Sequence, residues 1–511
     1  MTLETEAKRP GIPRLVSSDT GALMLIALAI ILLHALTNGH YGFHRDELAT
    51  VDDARYLDWG YIAYPPLTPF IAHIAFALFG PSLVGLRFFA SLAQAVAIVL
   101  TGCMARELGG KRTAQVAAAL AAAIAPVSLA AGALFQYVTF DYLWWVLAAY
   151  FVIRLLKSEN PRWWLAIGAV IGLGMMTKYT VAFLAAGITA GIVLTSARRD
   201  LKSPWLWGGV GLSLAIFLPN SIWQIRHDFI SLDFLNHIHA RDIRIGRTKN
   251  FLIEQLFVPA NPFTIPMWLT GLWFYFSREG KRYRALGWIF VVVFVLFFSA
   301  RGRSYYMAPA YPMLLAAGAV AWERRLANAS PSRGRLRRAV QWSAIAVGAV
   351  IAIALVVPIP PVGSAWWNLS NKVQDDWREE VGWPDLVGEV AKIRDSLPAE
   401  DRTNFAILTG NYGEAGAIDL YGATYGLPKA ISGTNSYWLR GYGDPPPQTL
   451  IVTGVSRRYL ERHFEFCELA GHVTNRYSVL NEETREHPDI FVCRGLREPW
   501  PEFWIDFKNY G

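Results

Sequence analysis

Long apolar runs recur along the first 357 positions, separated by short polar breaks. A spanning helix needs about 20 mostly apolar residues, fewer when its ends are buried in protein. On that basis the pattern predicts eleven membrane helices: Gly21–Thr37, Leu83–Met104, Ala114–Phe135, Tyr142–Leu156, Trp163–Met176, Thr180–Ser196, Trp205–Ile222, Phe257–Phe276, Leu286–Ala300, Tyr305–Trp322 and Val340–Val357. The fourth, fifth and ninth are short, so the count is open by one or two. Met1 to Arg14 is polar and no cleavage-site pattern follows the first run, so Gly21–Thr37 reads as a retained signal anchor. Pro358-Ile-Pro-Pro361 then breaks the pattern. Beyond it, Leu386, Val390, Ile393 and Leu397 recur at helical spacing, while Phe405–Thr409, Thr449–Thr453 and Asp489–Cys493 read as short buried strands. The expected organisation is a polar segment (1–20), a membrane domain (21–357) with long loops at 38–82 and 223–256, and a soluble α/β domain (358–511).

Composition agrees with a polytopic α-helical membrane protein. Of 511 residues, 53% are hydrophobic and only 17% charged, against about a quarter charged in soluble domains. Disorder, collagen, coiled coil and a disulfide-rich scaffold are excluded by the same figures. Twenty Trp and 21 Tyr suit membrane–water interfaces.

Charge sets the orientation. The net charge of +8 invites a nucleic-acid reading, but the basic residues lie in short loops between apolar runs and no nucleic-acid module is present. With the N-terminus cytoplasmic, twenty-two Lys and Arg fall on the inside, from Lys8, Arg9 and Arg14 to the arginines between Arg324 and Arg338. Ten fall on the outside before the C-terminal region. The positive-inside rule therefore favours a cytoplasmic N-terminus, which puts the C-terminal domain outside. There Cys467 and Cys493 are a disulfide candidate, with two free thiols as the alternative; Cys103, within an apolar run, reads as packing.

Candidate chemistry lies in the first outside loop, which reads His44-Arg45-Asp46-Glu47-Leu48 and then Tyr64-Pro-Pro-Leu67-Thr68-Pro69. Adjacent residues on a helix point in different directions, so Asp46 and Glu47 serve different partners. A solvated loop carboxylate is the alternative reading. Ionisable groups at membrane depth cost roughly 2.5–3.5 kcal/mol each and tend to face cavities or partners. Arg87, Asp141, Lys178, Arg301 and Arg303 all map near the outer boundary with Asp46, which suggests one cavity. Snorkelling is the bland alternative for Arg87 and Lys178. Arg301-Gly-Arg303-Ser-Tyr305-Tyr306 places two guanidinium groups and two phenols at a span end, a composition suited to phosphate.

Together His44–Leu48, Tyr64–Pro69, Ala105-Arg-Glu-Leu-Gly-Gly110, Phe140-Asp141 and Thr177-Lys178-Tyr179 resemble the GT-C membrane glycosyltransferase superfamily. The likeness is to bacterial relatives of the dolichyl-phosphate-mannose protein mannosyltransferases and of the lipid A aminoarabinose and galacturonic acid transferases. Asn411-Tyr-Gly-Glu-Ala-Gly416 and Ser432–Trp438 look like segments of uncharacterised bacterial members. The resemblance implies a multi-pass protein of the bacterial inner membrane with a periplasmic C-terminal domain. It further implies inverting transfer of a sugar from a polyprenyl-phosphate donor to an envelope acceptor (lipid A, glycan or protein), within membrane lipids. Asp46 matches the presumed base, Glu47 its neighbour and Asp141 a second acid. His44, Arg45, Arg87, Lys178, Tyr179, Arg301, Arg303 and Tyr305 are the candidate substrate contacts. Tyr64 stands where aminoarabinose transferases carry Lys, so that specificity is not inherited. No cofactor is demanded; a divalent metal held by His44, Asp46 and Glu47 is the one candidate, although the spacing does not establish it. A transporter or flippase without transfer chemistry is the rival from another class. It often shows internal repeats with interrupted helices, and no such repeat is found.

Overall fold

The computed structural model describes residues 19–511. The polar start, with Lys8, Arg9 and Arg14, lies outside the described residues. Among the described residues six helices are long and apolar enough to cross a membrane: Asp19–Thr37, Leu83–Glu107, Tyr137–Ser158, Pro204–Arg226, Lys281–Ser299 and Pro331–Val356. Two bent pairs raise this to eight if each is one span. Arg112–Ala123 turns by 64° into Pro126–Ala133, and Val181–Val193 turns by 107° into a 3-10 segment.

The expected eleven are therefore not all spans by length. Every apolar run carries helix, but several are cut short. Pro126 removes a backbone donor and disfavours helix at Ala125, which breaks the third run. The eighth run is helical only over Ile265–Phe276, because Asn261 caps a 3-10 turn opened by Pro262. The tenth begins as 3-10 (Ser304–Ala310, containing Pro309) before continuing as Tyr311–Ala327.

The first outside loop is not irregular. It contains the helix Arg45–Asp53 and an apolar helix, Leu67–Phe79. His44 caps the first: its backbone N–H donates to Glu47 Oε2 at 2.9 Å, and its Nδ1 accepts from the Asp46 N–H at 3.1 Å. Asp46 and Glu47 in the first turn also complement the helix dipole.

The C-terminal part holds a five-stranded mixed sheet: β1 (Phe405–Thr409), β2 (Ala430–Ser432), β3 (Thr449–Thr453), β4 (Phe464–His472) and β5 (Asp489–Leu496). Their order is β2-β1-β3-β5-β4, with β1 parallel to both neighbours and β5 antiparallel to both of its own. The helix Trp383–Ser396 buries Leu386, Val390 and Ile393. Those side chains share one core with Leu48, Val51, Leu86 and Ala90 from the membrane part and with Ala415 and Ile418 from the helix Tyr412–Tyr421. The C-terminal part is thus packed onto the 38–82 segment.

Cys467 and Cys493 face each other across β4 and β5 and are joined as a disulfide. The bridge closes 26 residues of chain and should stabilise this part by about 3 kcal/mol in the chain-entropy account. Mass spectrometry of unreduced peptides should recover the linked pair; alkylation of both thiols without reduction would contradict it.

Candidate active site

The acidic pair is divided between two environments. The Glu47 carboxylate is wholly buried. It accepts from Arg87 Nε at 2.8 Å, Arg87 Nη2 at 2.7 Å and the Phe135 N–H at 2.8 Å. Arg87, equally buried, also donates to the carbonyls of Asn38 and Gly42 and lies 3.2 Å from Glu380. Burial pushes Glu380 up to about 8 against the pull of Arg87, so this second carboxyl is largely protonated at neutral pH. Glu47 and Arg87 therefore form a closed ion pair that fastens loop to membrane helix. Arg87 is thus engaged within the protein rather than held open for substrate, and Glu47 has partners different from those of Asp46.

Asp46 is the accessible acid, with about 35% of its side chain exposed. Gln136 Nε2 donates to Oδ2 at 2.6 Å and the Tyr412 hydroxyl donates to Oδ1 at 2.7 Å. Each oxygen takes one donor and keeps a second lone-pair direction for a substrate proton.

Gln136 leads directly to the cationic wall. The next residue, Tyr137, has Asp46, Asp141, Arg303 and Tyr305 as electrostatic neighbours. Its ring lies 5.5 Å from Lys178 Nζ. Lys178 sits 4.1 Å from the Tyr306 ring centre, 5.5 Å from that of Tyr305 and 3.7 Å from Asp141 Oδ2. Asp141 in turn accepts from Trp145 Nε1 at 2.9 Å. An ammonium among three phenol rings gains cation–π stabilisation. The Leu67 N–H donates to the Met176 carbonyl at 2.9 Å, holding the Pro-Pro-Leu segment against the Thr-Lys-Tyr segment. Tyr64 packs 5.7 Å from Tyr137 and donates to Asp53 Oδ2 at 2.7 Å.

Several other candidates are engaged elsewhere. Arg303 forks onto Asp242 at 2.6 and 2.8 Å, so its charge is spent on the 223–256 loop. Arg301 is exposed at a left-handed backbone position (φ 49°). Tyr179 bonds to Asn220 at 3.3 Å and accepts from Gln224 at 2.8 Å, tying its segment to the helix Pro204–Arg226. Arg45 pairs with Glu482 and lies 4.9 Å from the centre of the Tyr412 ring, gripping the C-terminal part. The buried His44 serves as a helix cap. His44, Asp46 and Glu47 do not converge: Glu47 is filled by Arg87 and by backbone N–H groups, so the trio does not fit a divalent metal. Among the described residues no other group of three His, Cys, Asp or Glu offers such a set. Gln136, Tyr137 and Asp242 carried no signal in the sequence. Tyr412 did, inside the Asn411–Gly416 segment.

The geometry can be set against known proteins. The structure superposes on the crystal structure of ArnT from Cupriavidus metallidurans bound to undecaprenyl phosphate with a TM-score of 0.58, covering 93% of this chain and 98% of that one at 16% identity. The apo form of the same protein gives 0.59. Residues 63–223 match the family described as dolichyl-phosphate-mannose-protein mannosyltransferase. The chain thus shares the ArnT fold over nearly its whole length, and part of it is similar to a mannosyltransferase family. Among curated relatives, an undecaprenyl phosphate-alpha-4-amino-4-deoxy-L-arabinose arabinosyl transferase of Pseudomonas fluorescens is 29% identical over 150 residues, 28% of this chain and 26% of that protein. An uncharacterized protein of Aquifex aeolicus is 24% identical over 267 residues, 49% of this chain and 51% of that one. The matches thus span about a quarter to a half of those relatives' own lengths.

Proposed function

We propose that this chain transfers a sugar from a polyprenyl-phosphate carrier to a hydroxyl or phosphate acceptor of the cell envelope, on the outer face of a bacterial inner membrane. The observation that carries the reading is Asp46: it is the open member of the acidic pair, oriented by two donors and joined through Gln136-Tyr137 to the Lys178 wall. The undecaprenyl phosphate bound to the structural neighbour supports a lipid-linked donor.

Asp46 takes the proton of the acceptor as its oxygen attacks the anomeric carbon. The bond to the carrier phosphate breaks on the opposite side, and the leaving phosphate keeps the electron pair. A single displacement of this kind inverts the anomeric centre. General-base catalysis needs the base within hydrogen-bond reach of the attacking group, and charge stabilisation is aimed at the leaving oxygen. Lys178 supplies that charge, and the phenols around it offer hydroxyls and apolar faces to a sugar.

Lys178→Ala should raise the apparent donor KM and lower kcat, because a cation that holds phosphate acts in both ground and transition states. Lys178→Arg should restore only part of this, since a planar fork does not replace a compact charge. Normal donor affinity combined with lost acceptor use would contradict the phosphate assignment. The activity itself is tested by incubating purified protein in lipid vesicles with a labelled polyprenyl-phosphate sugar and an envelope extract. Label moving to an acceptor supports the enzyme. Label crossing the bilayer unchanged would favour a flippase and overturn the proposal.

A further inference from the structure

Tyr412 does not belong to the membrane part, yet its hydroxyl meets Asp46 at 2.7 Å. It opens the helix Tyr412–Tyr421, which leaves β1 and is capped by Asn411, whose Oδ1 accepts from the Glu414 N–H at 2.9 Å. The cap fixes the first turn, and with it the place from which the phenol projects. The tyrosine ring is also braced by the Arg45 guanidinium, 4.9 Å from its centre.

This helix lies unusually close to Arg45–Asp53 because its contact face carries glycine. A Cβ at Gly413 would stand 2.9 Å from the Arg45 Cβ and 2.8 Å from the Trp383 ring. At Gly416 it would stand 2.7 Å from the Leu48 Cβ and 2.9 Å from the Leu48 carbonyl oxygen. No larger residue fits without the helices separating. Arg440, from the same C-terminal part, holds the far end of the helix by pairing with Asp52 and by a 2.6 Å bond to Asp53. Arg45 pairs with Glu482 at the near end. The helix that bears Asp46 is therefore clamped at both ends and in the middle by the C-terminal part.

We infer that the C-terminal part completes the reaction centre, with Tyr412 as the positioning residue that orients Asp46. The inference rests on the assignment of Asp46 as base. A phenol donating to one carboxylate oxygen stabilises the anion and fixes which lone pair faces the acceptor. Burial, followed by the neighbouring Asp46 charge, holds the Tyr412 phenol well above its ordinary range, so it keeps its proton and stays a donor. The Asn411–Gly416 segment then has a single physical explanation: Asn caps, Tyr donates, and the two glycines permit the approach.

The test uses the full-length protein in lipid vesicles, with a labelled polyprenyl-phosphate sugar as probe. Tyr412→Phe should lower kcat about tenfold with donor KM within about twofold of wild type. A comparable rise in donor KM, or no change in kcat, would overturn the inference. A second readout needs no activity. Tyr412→Phe should lower the thermal unfolding midpoint of the wild type more than that of Asp46→Ala, where the hydroxyl has already lost its partner. Equal losses in both backgrounds would show that the contact does not form, which also overturns the inference. Retained turnover in Asp46→Asn would instead strike at the base assignment, leaving the stability cycle to judge the contact. Gly416→Val, if it folds, should mimic Tyr412→Phe by forcing the helices apart; a normal kcat there would contradict the close approach.

Discussion

Asp46→Asn is expected to abolish sugar transfer, with turnover falling about 100- to 10,000-fold, the usual cost of losing a general base. Asparagine keeps the size of the side chain and an oxygen that can accept from Tyr412 or Gln136, so the helix Arg45–Asp53 should stay docked. What disappears is the ability to take a proton. Donor affinity should change little, because the proposed phosphate contact is Lys178 rather than the carboxylate. Turnover assays with donor binding measured in parallel check both halves. Near-normal turnover would remove Asp46 from the role, and Asp141, paired with Lys178 at 3.7 Å, would be the acid to examine next.

The largest effect on stability should come from its neighbour. Glu47→Gln leaves the Arg87 guanidinium buried without its main counter-charge. Losing one member of a buried pair typically costs about 3–5 kcal/mol. Glu380 softens this, because at 3.2 Å from Arg87 it can give up its proton and replace the lost anion. Glu47→Gln should therefore survive with a lowered unfolding midpoint. Glu47→Gln combined with Glu380→Gln should lose more stability than the two single changes together. Thermal unfolding in detergent of the two single variants and the pair reads this directly. Additive losses would mean that Glu380 does not share the charge. Activity per folded molecule separates the two acids: folded Glu47→Gln should still turn over, whereas folded Asp46→Asn should not.

The contrast between these carboxylates shows how far the chain could be read unaided. That adjacent acids on a helix have different partners follows from helical geometry, and Asp46 and Glu47 do. Which of them stays open depended on Arg87, forty residues away, and on Phe135, whose N–H closes the Glu47 shell. Neither could be inferred from spacing. Apolar runs marked where helices form, but not which ones reach across a membrane, because prolines 126, 262 and 309 shorten them locally. The strands β1, β3 and β5 were visible as buried apolar stretches, whereas β4 is an edge strand with mostly exposed residues and β2 is three residues long. Arg303 was misread for a related reason. Its pattern suits phosphate, but Asp242 in the other outside loop already occupies the fork. Long-range pairing decides which charges are free, and a single sequence records the charges without the pairs.

The most direct measurement is the anomeric configuration of the sugar after transfer, read by NMR on product made from a polyprenyl-phosphate donor of known configuration. Asp46 as base in a single displacement predicts complete inversion. Retention would require two displacements through a glycosylated intermediate and would contradict the central claim, whatever the rate of the Asp46 variants.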